Sequence, residues 1–332
     1  MLSLVISASL RQNLTGGVRV FPSRWFSVAL PRLRSPTNDI LTLSRFPPLV
    51  SVPTVSSLLT DKEKLKFVDV RAPDAYSNRH IPDAVNVHKI FTYLVMGDYD
   101  LQGERNKLMT TFEDLFRDAG INGDELVIMY EDSLKTMYGA SCRGFYLHAE
   151  TTGSSNVSIL SGGLEAWAKC GLPTSTIVPD VAKGTFKACW MKSMWSDKND
   201  VQLAIKEKSA VLLDVRDTEE WKGISSSPYG VDFAPRKGRL PGAIHMHWHN
   251  FMNTTKDGMT YFKEPAEVRE MCATKGLTPE SKVIVYCFKG ARASNTYIAL
   301  KEAGFHNVTN YFGSWNEWSR DRSLEVDSRK LE

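Results

Sequence analysis

No stretch of this 332-residue chain approaches the ~18–20 uninterrupted apolar residues of a membrane-spanning helix, so nothing in it reads as a membrane span. Cysteine is scarce. The five cysteines, at 142, 170, 189, 272 and 287, form no CxxC pair, which argues against both a disulfide framework and a zinc site. No glycine-rich nucleotide fingerprint follows a strand-like run, and no cofactor is expected. Acidic residues are absent from the first 38 positions, which carry Arg11, Arg19, Arg24, Arg32 and Arg34 amid serine and leucine. That composition reads as a mitochondrial transit peptide, with Arg24-Trp25-Phe26 before Ser27 resembling a matrix-peptidase cleavage site. A disordered basic tail or a nucleic-acid arm is the alternative. Without residues 1–26 the body balances at 38 basic and 38 acidic residues, which gives no electrostatic case for nucleic acid.

A repeat organises the rest. "FVDVRAPDAY" (67–76) returns as "LLDVRDTEEW" (212–221), and "RHIPDAVNV" (79–87) as "GRLPGAIHM" (238–246). "LVIMYEDS" (126–133) returns as "VIVYCFKG" (283–290), and "GGLEAW" (162–167) as "GSWNEW" (313–318). Offsets of about 145 to 160 residues are too long for a solenoid and fit two homologous domains. The expected boundaries are 50–172 and 198–325, with a Pro-, Gly- and Thr-bearing linker at 173–197. Within each half, buried-strand runs such as "AVLLDV" and "KVIVY" alternate with helical patterns such as "VQLAIKEK", "PAEVREMCATKG" and "NTYIALKEAGF". Such alternation implies a parallel sheet covered by helices on both faces, with ligands beyond the carboxyl ends of the strands.

Cys287 stands at such a point, between "VIVY" and a helical stretch. A loop leading from a strand into a helix turns backbone N–H groups inward, and the helix dipole adds positive potential. Gly290 supplies backbone freedom, and Lys289 and Arg292 add full charges. Negative sulfur is favoured in that setting, so the loop reads as a nucleophile in an anion pocket. The competing reading is a small buried thiol at a strand end.

With the repeat and the loop together, the chain resembles the rhodanese family, specifically its tandem-domain thiosulfate sulfurtransferases, over roughly residues 50–325; "DVR", "GRLPGA", "YCFKGARAS" and "NYFGSWNEW" carry the resemblance in order and spacing. The resemblance implies an α/β fold of two rhodanese-like domains, each a five-stranded parallel sheet flanked by helices, with the site at the domain interface. It implies that Cys287 is catalytic, taking the outer sulfur of thiosulfate as a persulfide, releasing sulfite and passing the sulfur to cyanide or a thiol such as glutathione. Lys289 and Arg292 are the implied substrate-binding cations, Arg236 is a third, and Phe288, Gly290 and Ala291 supply the loop backbone. Relatives acting on 3-mercaptopyruvate have a serine where Lys289 stands. The loop is C-x4-R, one residue shorter than the C-x5-R of related cell-cycle phosphatases, and so suits a single sulfur atom.

Aligning "VIMYED" on "VIVYCF" puts Glu131 at the cysteine position of the first domain. A carboxylate holds no transferable sulfur, so that domain is expected to be an inactive partner. Cys142, Cys170, Cys189 and Cys272 read as structural thiols. Asp69 with Arg71, and Asp214 with Arg216, are expected to pair within their domains. Arg239 replaces the family's usual histidine and is a further source of charge. "HMHWHN" (245–250) offers His245, His247 and His249 on one face of a strand, but the resemblance calls for no metal. Trp315 and Trp318 are expected to pack around the loop. The implied partners are small sulfur donors and acceptors, the implied state is a monomer, and the implied location is the mitochondrial matrix. The rival readings are a 3-mercaptopyruvate sulfurtransferase and a sulfur carrier or scaffold without steady turnover.

Overall fold

The computed structural model describes residues 46–61, 64–94, 102–134, 136–152, 156–189 and 191–329. The segment expected to be a transit peptide lies outside the described residues.

In the first domain the strands are β1 (Leu49–Val50), β2 (Leu65–Asp69), β3 (Val85–Asn86), β4 (Leu126–Tyr130) and β5 (Val157–Leu160). Its helices are α1 (Val52–Thr60), α2 (Pro73–Asn78), α3 (Lys89–Thr92), α4 (Gln102–Asp118), α5 (Ala140–Thr152) and α6 (Gly163–Lys169). The second domain has β6 (Trp195–Ser196), α7 (Lys198–Glu207), β7 (Val211–Asp214), α8 (Thr218–Trp221) and β8 (Ile244–His245). A hairpin of β9 (Met252–Thr254) and β10 (Thr260–Phe262) follows, then α9 (Pro265–Ala273), β11 (Val283–Tyr286), α10 (Ala291–Glu302), β12 (Val308–Tyr311) and α11 (Ser314–Trp318).

The two sheets run β1-β5-β4-β2-β3 and β6-β12-β11-β7-β8, which is one strand order used twice. Every pairing within them is parallel. The central strands β4 and β11 are buried along their whole length, because helices cover both faces and no polar face is needed. The expected linker needs one correction. Trp195 and Ser196 pair with Asn310 and Tyr311, so the second sheet starts inside the stretch read as linker. Upstream, the linker is stitched to the first domain: Ser175 exchanges backbone bonds with His80, and Phe186 N–H donates to Ile121 O.

The same ion pair braces both domains. Asp214 accepts from the Arg216 backbone N–H (3.0 Å), from Arg216 Nε (3.0 Å) and Nη2 (2.6 Å), and from the Tyr286 hydroxyl (2.6 Å). Burial raises the Asp214 carboxyl, but these partners outweigh it and hold the group below its ordinary range. The Arg216 guanidinium lies over the Trp315 ring at 4.7 Å. Asp69 and Arg71 repeat the pairing in the first domain. "DVR" is therefore a structural bracket between the end of β7 or β2 and the loop that follows.

One apolar core runs through both domains, and α5 packs directly on α10 at the interface. The rings of Tyr146 and Tyr297 meet edge-on at 5.3 Å, and Asn295 Nδ2 reaches Cys142 Sγ at 3.6 Å. The hairpin crosses over as well: Thr260 N–H donates to Ser133 Oγ at 3.0 Å.

Replacing Asp214 by alanine would strand the buried Arg216 charge. The expected loss is about 3–5 kcal/mol of second-domain stability, read by urea denaturation; a midpoint equal to that of the parent chain would remove the bracket role.

Candidate active site

Cys287 directly follows β11, as Glu131 directly follows β4. Its side chain is 1% exposed. The loop is fixed from several sides. Cys287 N–H donates to Ser314 Oγ (3.1 Å), Cys287 O accepts from Trp315 N–H (3.0 Å), and Phe288 O accepts from Asn316 N–H (3.0 Å). Ser314 holds a left-handed backbone (φ 55°), an unfavourable conformation for serine that lets its hydroxyl also donate to Tyr311 O. Gly290 has φ 86°, and a Cβ there would lie 2.6 Å from the Phe312 ring, so only glycine fits. Gly290 N–H points back at the thiol, with N···Sγ 3.2 Å, and α10 begins at the next residue. A backbone donor and a helix amino terminus therefore meet the sulfur, an arrangement suited to negative charge.

The three expected cations have different fates. Lys289 stays by the site. Its Nζ donates to Phe91 O of the first domain (2.7 Å) and lies 4.3 Å from the Phe91 ring centre and 5.0 Å from that of Tyr229. Burial, and then repulsion from Arg143, push it down to about 7, while Cys287 pulls the other way. Arg292 is also close to the sulfur but is neutralised. Its Nη1 meets Glu220 Oε2 (2.5 Å) and Asp217 Oδ1 (3.1 Å), and its Nη2 meets Glu220 Oε1 (3.1 Å). Its role as a substrate-binding cation is corrected to one of fixing α10 to the start of α8. Arg236 is corrected too. Its guanidinium donates to the carbonyls of Trp318, Ser319, Asp321 and Leu324, capping the end of α11. Burial lowers its pKa, with Asp321 and Arg322 as the charges beside it.

Phe288 and Ala291 are buried beside Cys287, with the Tyr229 ring 5.3 Å from that of Phe288. Tyr138, Pro228, Tyr229, Lys289 and Arg292 help to enclose a cavity of about 10 Å³, room for about one water. A larger open cavity of about 600 Å³, beside Lys64, Lys66 and Glu125, lies at the amino ends of β2 and β4, away from this chemistry.

Sequence reasoning did not find Arg143. This arginine of α5 reaches the site from the first domain and donates through Nη1 to Phe91 O (3.2 Å), the carbonyl that Lys289 also uses. The available signal was one full charge in the run "ASCRGFYL" (140–147), otherwise made of small, apolar and neutral polar residues.

Glu131 is buried and accepts from the N–H groups of Met137 (2.9 Å) and Ser141 (3.1 Å) and from Ser141 Oγ (2.7 Å); burial nonetheless pushes it up to about 7. Cys142 and Cys272 are buried, and burial pushes both thiols up, but Cys170 and Cys189 are exposed rather than structural. Arg239 pairs with Asp327 and lies over the Trp221 ring. The three histidines do not share a strand face: His245 ends β8 and meets Arg216 O, whereas His247 precedes a 3-10 turn and meets Asp217. Trp315 and Trp318 are buried, their indole N–H groups donating to Arg236 O and Glu325 O.

Comparison with known proteins gives the family. A model of the rhodanese-like domain matches twice, at residues 51–170 and 197–321. A Haloferax volcanii protein provisionally named as a thiosulfate sulfurtransferase is 31% identical over 284 residues, 81% of this chain and 92% of its own length. The sulfur carrier protein TtuD of Thermus thermophilus is 30% identical over 252 residues, 73% of this chain and 83% of its own. The 3-mercaptopyruvate sulfurtransferase of Escherichia coli O157:H7 is 26% identical over 264 residues, 79% and 88% of the two chains. Among solved structures, wild-type EanB shares the fold with a TM-score of 0.69 at 21% identity, over 86% of this chain and 70% of its own. The doubled strand order, the cysteine loop after β11 and these matches together identify the chain as a tandem-domain member of the rhodanese-like, sulfurtransferase family.

Proposed function

We propose that the protein is a thiosulfate sulfurtransferase whose acting group is Cys287. The observation that carries the reading is a single sulfur facing the Gly290 N–H at the start of α10, beside the Lys289 ammonium. The Cys287 thiolate attacks the outer sulfur of thiosulfate. The S–S bond of the donor breaks, sulfite leaves with the electron pair, and a Cys287 persulfide remains. Cyanide, or a thiol such as glutathione, then attacks the terminal sulfur of the persulfide, and thiocyanate or a new persulfide departs as the thiolate is restored. Donor and acceptor use one site in turn, so the kinetics are ping-pong.

Burial of the thiol supports protection of the persulfide between half-reactions. Thiosulfate is larger than the cavity, so its entry requires side chains lining the cavity to move. Lys289 supports a sulfonate-bearing donor over 3-mercaptopyruvate. The pairing of Arg292 with Glu220 weighs against a phosphatase, which needs that arginine for its phosphate. The sulfur-carrier reading draws on the Thermus relative and predicts a persulfide that small thiols remove slowly. The acid-free, arginine-bearing amino terminus supports delivery to the mitochondrial matrix, and the extensive contact between the two domains supports action as a monomer. Import of the full chain into isolated mitochondria and the mass of the native protein in solution test these two points.

Intact mass after thiosulfate treatment should show the gain of one sulfur atom in the parent chain and none in Cys287→Ser; equal gains in both would remove Cys287 from the chemistry. Lys289 titrates near 7 and binds anions only when charged. Its charge falls as pH rises, so the KM for thiosulfate should climb between about pH 6 and 8.5 and stay flatter in Lys289→Arg. A parent KM that does not change over that range would exclude Lys289 from donor binding.

A further inference from the structure

Arg143 is an expensive residue to keep where it is. Residues 140–149 of α5 are buried on every side, between the first-domain sheet and α10, and Arg143 itself is 0% exposed. It forms no ion pair among the described residues. Its Nη1 shares the Phe91 carbonyl with Lys289, and its guanidinium lies over the Phe312 ring at 4.7 Å. Nε and Nη2 find no hydrogen-bond partner among the described residues. That edge is the one Arg71 and Arg216 turn to Asp69 and Asp214 in this same structure, each gripping two carboxylate oxygens. Phe312, on which Arg143 rests, is also the ring that packs against Gly290, so the arginine borders the Cys287 loop. The Cys287, Tyr229 and Tyr93 side chains are its electrostatic neighbours, and against their pull burial lowers it to about 10. A buried charge without a counter-charge destabilises a fold, and an apolar side chain of similar size would be tolerated better. Fold stability therefore does not explain this arginine.

We infer that Arg143 is the second fixed cation of a sulfur-oxyanion subsite, presenting its Nε/Nη2 edge to two oxygens of the sulfonate end of a dianionic donor while Lys289 neutralises the same group. The inference rests on the thiosulfate reading and deepens it: the first domain supplies one of the two charges that sort donors, and the second supplies Lys289 and the sulfur acceptor. A planar fork matched to two oxygens favours a sulfonate over donors with one charge or none.

The test uses the full-length chain with Arg143→Lys, Arg143→Gln and Arg143→Met. Loading of Cys287 is followed by intact mass at graded concentrations of thiosulfate and of an aryl thiosulfonate, which carries one charge. Binding of sulfite and sulfate is followed by tryptophan fluorescence. Loss of a charged bidentate contact should raise half-saturation by thiosulfate and weaken both anions about 10- to 100-fold in the Gln and Met variants. The aryl thiosulfonate should be affected several-fold less, Lys should recover part of the loss, and the Tm of the Met variant should equal or exceed that of the parent. Unchanged thiosulfate half-saturation in the Met variant would overturn the inference. Equal losses for both donors with a lowered Tm would also overturn it, since they mark a structural residue. Should the parent chain bind sulfate through Arg143 yet never load sulfur, the subsite would stand and the transfer reading would fall.

Discussion

The position of one sulfur atom is held by backbone hydrogen bonds rather than by its own side-chain contacts. Cys287 N–H is tied to Ser314, its carbonyl to Trp315, and the next carbonyl to Asn316. These bonds bring the first turn of α11 under the loop, and Arg236 in turn caps the far end of α11. The Asp214–Arg216 bracket sits beneath, with Trp315 stacked on its guanidinium. Residues far apart in sequence thus converge on keeping three loop residues in one conformation. Only then does the Gly290 N–H face the thiol, and a preset donor stabilises charge without reorganising when charge appears.

Both domains contribute positive charge to the site. Of the two loop cations of the second domain, Arg292 faces both Glu220 and Asp217, whereas Lys289 meets the Phe91 carbonyl. The excess positive charge comes from Lys289 and Arg143, whose meeting point is a carbonyl of the first domain. Their mutual repulsion in a buried space is unfavourable for the folded chain and favourable for an incoming anion. A first domain without a nucleophile is therefore part of the site through its α3 carbonyl and its α5 arginine.

The fold was legible because its signals are local. "DVR" places an acid and a base two residues apart that bond each other, "VIVY" and "LVIMY" are strands buried along their length, and the repeat announces the doubled topology. Cys287, Gly290 and Lys289 were legible for the same reason, since strand, loop and helix follow one another directly. The fates of Arg292 and Arg236 were not, because their partners lie about 70 to 90 residues away along the chain and one cation in a loop looks much like another until those partners arrive. Arg143 was hidden by docking: α5 resembles an ordinary packed helix until α10 covers it and turns a lone arginine into an interdomain charge. The start of the second sheet was missed because β6 has only two residues, too few for periodicity to register.

Glu131 gives the first domain an unexpected property. Its carboxyl group receives N–H groups from the loop before α5 and from the first turn of α5, much as the Cys287 sulfur receives one from the loop that leads into α10. The first domain therefore keeps a cradle of N–H donors after β4 and fills it with a carboxyl group of its own, tethered by the chain. A cysteine placed there alone would offer one sulfur where two oxygens now meet the Met137 and Ser141 N–H groups, and its smaller side chain would leave a hole in a buried site.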